Sequence, residues 1–523
     1  MATRLPQRLM GSERLQTYSD AIYAIIITIM VVPLVESVDQ LNTDEDLLES
    51  LKVIYVKIIV YVVAFLIIYS FWEGHVWIFQ CIDYVGDTVV LTNLIMLLIM
   101  TFIPYAITLL AEHIEESFSI LLFCGTLLII TLLELFIVFL SLCKPKMVRE
   151  ELRESGQFAF LRGSILIALI VKMLLIILAG GLSMVNLYAS WAATIAILFS
   201  NAVSASICAI YKQVKGNVDD PHGNCGKYLC HRLFGEKLHK GRVEAFSDGV
   251  FSIVATLIIL DICTKAFPSK EKRESHDTLA EAIWQESSLL LIYASTFLTV
   301  GLLWFIHHSI FQFVFRVHRL MSHFNKWSLL FVGLMPFGFR LLNIYTNDLV
   351  SNSTLVSLSL ESLYPNQRTD RKESYILQLN CVILFFASLC QLFMWLSGHW
   401  KRRKHFHSHH KGLNYGITVC KLLVYPIVSA TLFGLAFSKL HITAELIAAV
   451  LLCVMLVHVF IKIMYEITFK TCARQPADDV VDTEIDDQLM ALDSLPRATS
   501  KQRRAESFRA GVFLNSDTDD TYM

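Results

Sequence analysis

Charge is scarce in this sequence. Asp, Glu, Lys and Arg make up 17% of its 523 residues and nearly cancel, to a net −2, where soluble domains carry about a quarter charged residues. A balance so near zero gives no sign of a nucleic-acid partner, which would need an excess of cations for its phosphates. Enzyme signatures are missing too: there is no C-x-x-C pair, no H-E-x-x-H and no G-x-S-x-G. Neither catalysis nor a cofactor is therefore expected. The 12 cysteines fall mostly inside apolar runs (Cys124, Cys208, Cys263, Cys390, Cys453), where they act as small hydrophobes, with no disulfide framework. What remains is apolar: 55% of the residues, in runs long enough at about 20 residues to cross a hydrocarbon layer of about 30 Å. The lipid bilayer is the chain's solvent.

Twelve spans are expected, at 18–38, 53–77, 89–112, 118–142, 160–182 and 187–211, then 246–263, 284–307, 324–346, 375–400, 415–437 and 442–469. The first run follows Arg4, Arg8 and Arg14, but its length and the lack of a small-residue cleavage site predict that it is retained. Lysine and arginine gather in the leader and in segments 144–162, 212–242, 316–319 and 401–411. The positive-inside rule then places both termini in the cytosol. The sequon Asn352-Ser353-Thr354 falls in the outer loop 348–374, where glycosylation is topologically permitted; a chance tripeptide explains it as well. Organisation follows: a leader (1–17), a six-helix repeat (18–211), a cytoplasmic linker (212–241), a second six-helix repeat (242–470) and a polar tail (471–523) expected to be disordered. Even helix numbers make the repeats parallel. In the linker, Cys225 and Cys230-His231 loosely resemble zinc ligands but lack structural-zinc spacing. In the tail, Arg503-Arg504-Ala-Glu-Ser507 suits a basophilic regulatory kinase.

The repeat is visible in its side chains. Arg14-x-x-x-Tyr18-Ser19-Asp20 recurs as Arg242-x-x-x-Phe246-Ser247-Asp248, 228 positions on (248 − 20), each opening an Ile/Val/Thr-rich helix. Trp72-x-x-His75 matches Trp304-x-x-His307, Asn93 matches Asn325 and Pro104 matches Pro336, all at an offset of 232 (304 − 72). Polar groups in a membrane need partners. One network per half is therefore expected, in which Asp20 accepts from Arg14 and Asp248 from Arg242, with serine, histidine and tryptophan donors beside them. Each residue also has a plainer role, as a helix cap, an interfacial aromatic or a core histidine. A structural network that fixes the first helix's rotation is preferred to a catalytic one.

Beyond each aspartate one helical face is apolar: Ala21, Ile25, Thr28/Ile29 and Val32, and again Gly249, Ile253, Thr256/Leu257 and Leu260. Such a face can form a hydrophobic neck that gates by excluding water. Lipid or helix packing would use the same residues, but recurrence in both halves favours a pore.

The R-x-x-x-F-S-D signature at the head of two six-helix repeats resembles the transmembrane protein 175 family of endolysosomal potassium channels, over residues 14 to about 469. The resemblance implies an all-α homodimer in which four repeats enclose one pseudo-four-fold pore. It implies that the first and seventh helices line the pore, with Ile25 and Ile253 as the tightest ring. It also implies that Thr256, with Thr28 as its counterpart, contributes to selectivity, and that Ile29 and Leu257 lie beside them. Two departures are Tyr18 for phenylalanine and Ala24 where relatives can carry a serine, a change that weakens selectivity. The implied activity is a leak-type potassium channel of endosomes and lysosomes that also passes protons, with K+ and H+ as permeant ions. The alternative is a secondary transporter of the 6+6 type, for which Glu134, Lys172 and His458 are the intramembrane ionisable residues to cite.

Overall fold

The computed structural model describes residues 10–39, 47–142, 144, 146–154, 158–204, 206–207, 239–265, 287–314, 317–344, 367–400 and 413–437, with isolated positions between 450 and 463. The linker cysteines, Asn352, the loop 401–411 and the tail lie outside the described residues. So does most of the expected span 442–469. The chain divides into two compact units, Met1–Met455 and Leu456–Met523. In the second, the described residues are Phe460 and Ile463, both helical and exposed. The rest concerns the first.

An apolar run in a bilayer has no water to satisfy its backbone, so each run closes its own hydrogen bonds as a helix. The chain is an all-α polytopic membrane protein. Among the described residues, 10 helical stretches are long and apolar enough to cross a membrane, and Lys421–Ala436 is a shorter apolar one. In order the helices are α1 (Glu13–Ile29), α2 (Val32–Val38), α3 (Leu47–Gln80), α4 (Asp87–Met100), α5 (Ile103–Glu112), α6 (Ser117–Leu142), α7 (Glu150–Glu154), α8 (Phe158–Ser183) and α9 (Leu187–Ala196). The second half adds α10 (Lys240–Lys265), α11 (Ser287–Phe313), α12 (Arg319–Gly333), α13 (Gln367–Trp400) and α14 (Leu413–Phe437).

Among the described residues, three of the expected spans are broken next to a proline. The first breaks at Met30–Val31 before Pro33, and the third at Thr101–Phe102 before Pro104. The third span of the second half breaks at Leu334 before Pro336. Proline lacks an N–H and clashes with the preceding turn, so it is tolerated where a new helical segment starts. The matched pair Pro104/Pro336 therefore marks the same break in both halves.

Before α1, β1 (Met10–Gly11) pairs antiparallel with β2 (Tyr84–Val85), between α3 and α4. Ser12 Oγ donates to Ile82 O at 2.8 Å, and Arg149 Nε to Asp83 Oδ1 at 2.9 Å. These contacts pin the N-terminal end of α1 to the α3–α4 turn and to the segment before α7. The helix thus begins at Glu13, a few residues before the expected span, and the last residues of the leader are ordered.

Among the described residues the halves are joined at several places, of which three set the frame. The first is the crossing of α1 over α10, where a Cβ added at Gly249 would lie 2.9 Å from the Cβ of Ala24. Only glycine permits that approach, the small-residue packing that holds membrane helices together. The second is Glu73 on α3, which accepts from Ser322 Oγ at 3.0 Å and Lys326 Nζ at 3.1 Å on α12. The third is Arg340 in the helical residues 335–344. Its Nε donates to Asp39 Oδ1 at 2.8 Å, after α2, and its Nη1 reaches Asp261 Oδ2 on α10 at 3.4 Å.

Candidate functional site

The first half's Ser19, Asp20, Trp72 and Asn93 meet Arg242 and Phe246 of the second where α1, α3, α4 and α10 converge. Asp20 is 2% exposed and takes three donors. Trp72 Nε1 reaches Oδ1 at 2.8 Å, and Arg242 donates through Nε to Oδ2 at 2.8 Å and through Nη2 to Oδ1 at 2.5 Å. Such a two-pronged arginine–carboxylate pair is strong and geometrically specific. Asn93 Nδ2 donates to Ser19 Oγ at 3.0 Å, and Ser19 Oγ to Leu15 O at 2.9 Å. The second half repeats the pattern: Trp304 Nε1 to Asp248 Oδ1 at 2.7 Å, and Asn325 Nδ2 to Ser247 Oγ at 3.0 Å.

One feature differs from the expected network. The arginine on Asp20 comes from the other half, Arg242 instead of Arg14. Sequence separation predicted a local pair six residues apart, but Arg14 is exposed on α1, while the crossing of the helices carries Arg242 onto Asp20. Phe246 follows the same logic, stacking on Trp72 of the first half at 4.0 Å between centroids, 19° from parallel. The equivalent residues, Tyr18 and Trp304, are 52% and 38% exposed. Of the histidines, His307 Nε2 bonds Asn325 Oδ1 at 2.9 Å, whereas both ring nitrogens of buried His75 lack a partner among the described residues.

The faces beyond the motif are placed as follows. On α1 the exposed stripe is Arg14, Tyr18, Ala21, Ile25 and Ile29. Ala24 and Thr28 are buried, Ala24 against Gly249, and Thr28 Oγ1 donates to Ala24 O and Ile25 O, both at 2.9 Å. On α10, Ser252, Thr256, Leu260 and Cys263 are exposed, while Ile253 and Leu257 are half-buried. Thr256 Oγ1 donates to Ile253 O at 2.9 Å. Sequence reasoning missed Glu73, Lys326 and Arg340. Glu73 lies inside the quoted Trp72–His75 element, so a signal was there, but its partners could be found only in space.

The profile described as endosomal/lysosomal potassium channel TMEM175 matches residues 14–104 and 242–336. Those segments hold every motif residue described above. The endosomal/lysosomal proton channel TMEM175 of Danio rerio is 31% identical over 463 residues, 87% of this chain and 84% of that protein. The chain belongs to the TMEM175 family. The Gallus gallus relative of the same name is 32% identical over 429 residues, 81% of each chain. A potassium channel of Streptomyces collinus is 36% identical over 108 residues, 21% of this chain and 50% of that protein. Both family segments open on a motif helix and end at the matched Pro104/Pro336 breaks. The family likeness and the observed repeat thus coincide.

Proposed function

We propose that this chain is a leak-type cation channel of endosome and lysosome membranes, conducting K+ and H+ passively along a path lined by α1 and α10. The observation that carries the reading is the side-by-side crossing of the two motif helices in a chain that aligns over 87% of its length with an endosomal/lysosomal proton channel. Positions left wholly or partly uncovered on both helices are Ile25/Ile253 and Ile29/Leu257. They form the apolar neck of this reading, and Thr256 stands a turn from Ile253. The 6+6 transporter reading loses support, because such sites lie between repeats. Glu134 and Lys172, its best residues, pair with each other inside the first half at 3.8 Å. Both termini are assigned to the cytosol on the lysine and arginine bias.

The proposed assembly is a homodimer, supported by contacts made once within the chain and available once more. Asp20·Arg242, Ala24·Gly249 and Trp72·Phe246 have equivalents Asp248·Arg14, Ser252·Ala21 and Trp304·Tyr18, and no hydrogen bond, ion pair or ring contact joins these equivalents among the described residues. Arg14, Tyr18, Ala21, Ser252 and Trp304 are exposed, and Asp248 is half-buried. A two-fold axis that brings a second copy's α1 to α10 would satisfy all three pairs and close a ring of four motif helices.

Two experiments test the reading. Currents of purified protein in bilayers should be cation-selective under potassium/proton gradients, and Ile25→Asn or Ile253→Asn should raise conductance by wetting the neck. Unchanged currents in both variants would remove the isoleucine neck. Arg14→Cys combined with Asp248→Cys should yield a covalent dimer on oxidation; only monomer would count against the interface.

A further inference from the structure

Inside the first half lies a polar cluster that the motif network does not use. Glu134 on α6 is 1% exposed, and neither carboxylate oxygen accepts a hydrogen bond among the described residues. Its nearest cation is Lys172 Nζ on α8, 3% exposed and 3.8 Å from Oε2, too far for a hydrogen bond. Lys172 also sits 4.1 Å from the centre of the Phe71 ring, one turn before His75 on α3, and close against Gly74, the residue preceding His75. His75 packs on Tyr23 of α1 with 5.6 Å between ring centres. Both His75 nitrogens and the Tyr23 hydroxyl are buried without a hydrogen-bond partner among the described residues. Orphaned buried polar atoms are rare, and several together mark a place that binds water or an ion.

The second half keeps part of this cluster and lacks the rest. Phe251 replaces Tyr23 and packs on His307 at 5.4 Å, so the ring contact persists without the hydroxyl. His307 is satisfied by Asn325. The fourth span of that half, Ser374–Gly398, contains no acidic residue. The histidine is thus common to both halves, and the second half also holds a lysine over an aromatic ring (Lys421 Nζ, 4.5 Å from the Phe305 ring centre) and a buried polar side chain on its fourth span (Gln391); the Tyr23 hydroxyl and an acidic group on the fourth span belong to the first half alone.

We propose that Glu134, Lys172, Tyr23 and His75 form a buried proton-binding site. Glu134 is the acceptor. Proton uptake turns its carboxylate into a donor and leaves the positive charge on Lys172, held over the Phe71 ring. Water between the groups supplies the missing hydrogen bonds, and Tyr23 and His75 carry the change to α1. The surrounding titratable and charged groups are Lys172 on α8, Tyr23 and Asp20 on α1, His75 on α3 and Arg242 on α10. On α4 and α5, which also pack on α6, these groups are Asp87, Tyr105 and Glu112; Asp87 and Glu112 stand at the outer ends of their helices. The effect on conduction rests on the channel reading; proton binding itself does not.

The test is infrared difference spectroscopy of the full-length protein in liposomes across a pH series, followed by current measurements on the same preparations. A buried carboxylic C=O band that titrates in the parent protein and disappears in Glu134→Gln is the expected result. Tyr23→Phe, the residue the second half already uses, should displace that band while leaving assembly intact. The current of Glu134→Gln should shift its pH midpoint. The same spectrum in parent and Glu134→Gln, or no displacement in Tyr23→Phe, would overturn the site. A lost band with an unmoved current–pH profile would overturn its link to α1. If the parent gives the band but no current, the channel reading fails and the proton site stands. Should Glu134→Gln misassemble, Glu134→Gln with Lys172→Met removes the charge imbalance and is read the same way.

Discussion

Replacing Asp20 by asparagine is the sharpest test of how the halves are joined. The carboxylate is buried at 2% exposure and receives both prongs of Arg242 as well as the Trp72 indole. Removing one partner of a buried pair costs about 3–5 kcal/mol, because the other charge stays buried without compensation. At about 1.4 kcal/mol per decade, that lowers the folded population relative to the unfolded by roughly two to four powers of ten. Arg242→Gln should cost about the same, leaving the carboxylate alone instead. Asp20→Asn with Arg242→Gln should cost far less than the sum, since neither charge is then stranded. The assay is thermal unfolding of purified protein in detergent, read by tryptophan fluorescence and by size exclusion, with all four corners of the cycle measured. Arg14→Gln should leave the melting of a dissociated single chain unchanged, because Arg14 is exposed there. Additive losses in the cycle, or an effect of Arg14 on the single chain equal to that of Arg242, would refute the cross-half pairing.

Three further outcomes follow from the same contacts. Gly249→Ala should cost about 1–3 kcal/mol by overpacking, since its Cβ would lie 2.9 Å from that of Ala24; Ala24→Gly in the same chain should restore the melting temperature, and failure to do so would place the defect elsewhere. Lys326→Met should lower stability by about 1.5–3 kcal/mol, the value of a charged hydrogen bond, because among the described residues Glu73 then keeps only Ser322; an unchanged melt would show that the tie contributes nothing. Trp304→Ala should weaken dimerisation, measured by cross-linking yield, more than it weakens the single chain, because Trp304 is half-exposed whereas Trp72 is covered by Phe246; an equal effect of Trp72→Ala and Trp304→Ala on the yield would argue against the equivalent contact.

Much of this protein could be read from its residues. Runs of apolar side chains dictated membrane helices, because a backbone in hydrocarbon must bond to itself. The recurrence of Trp, His, Asn and Pro at one offset dictated a duplicated fold with equivalent networks, and the tryptophan and asparagine bonds have the same form in both halves. Partner choice was beyond the sequence. Two arginines of equal chemistry lie six positions ahead of two aspartates, and nothing local says which reaches which. The close crossing at Gly249 decided that Arg242 serves Asp20 and that Arg14 remains outside. In the same way Glu134 and Lys172 were legible only as isolated charges, and only the three-dimensional arrangement put them beside Tyr23 and His75. Hydrophobic periodicity depends on each residue's own solvent preference and is written locally; the pairing of charges depends on distances between distant segments, which exist only once the helices have packed.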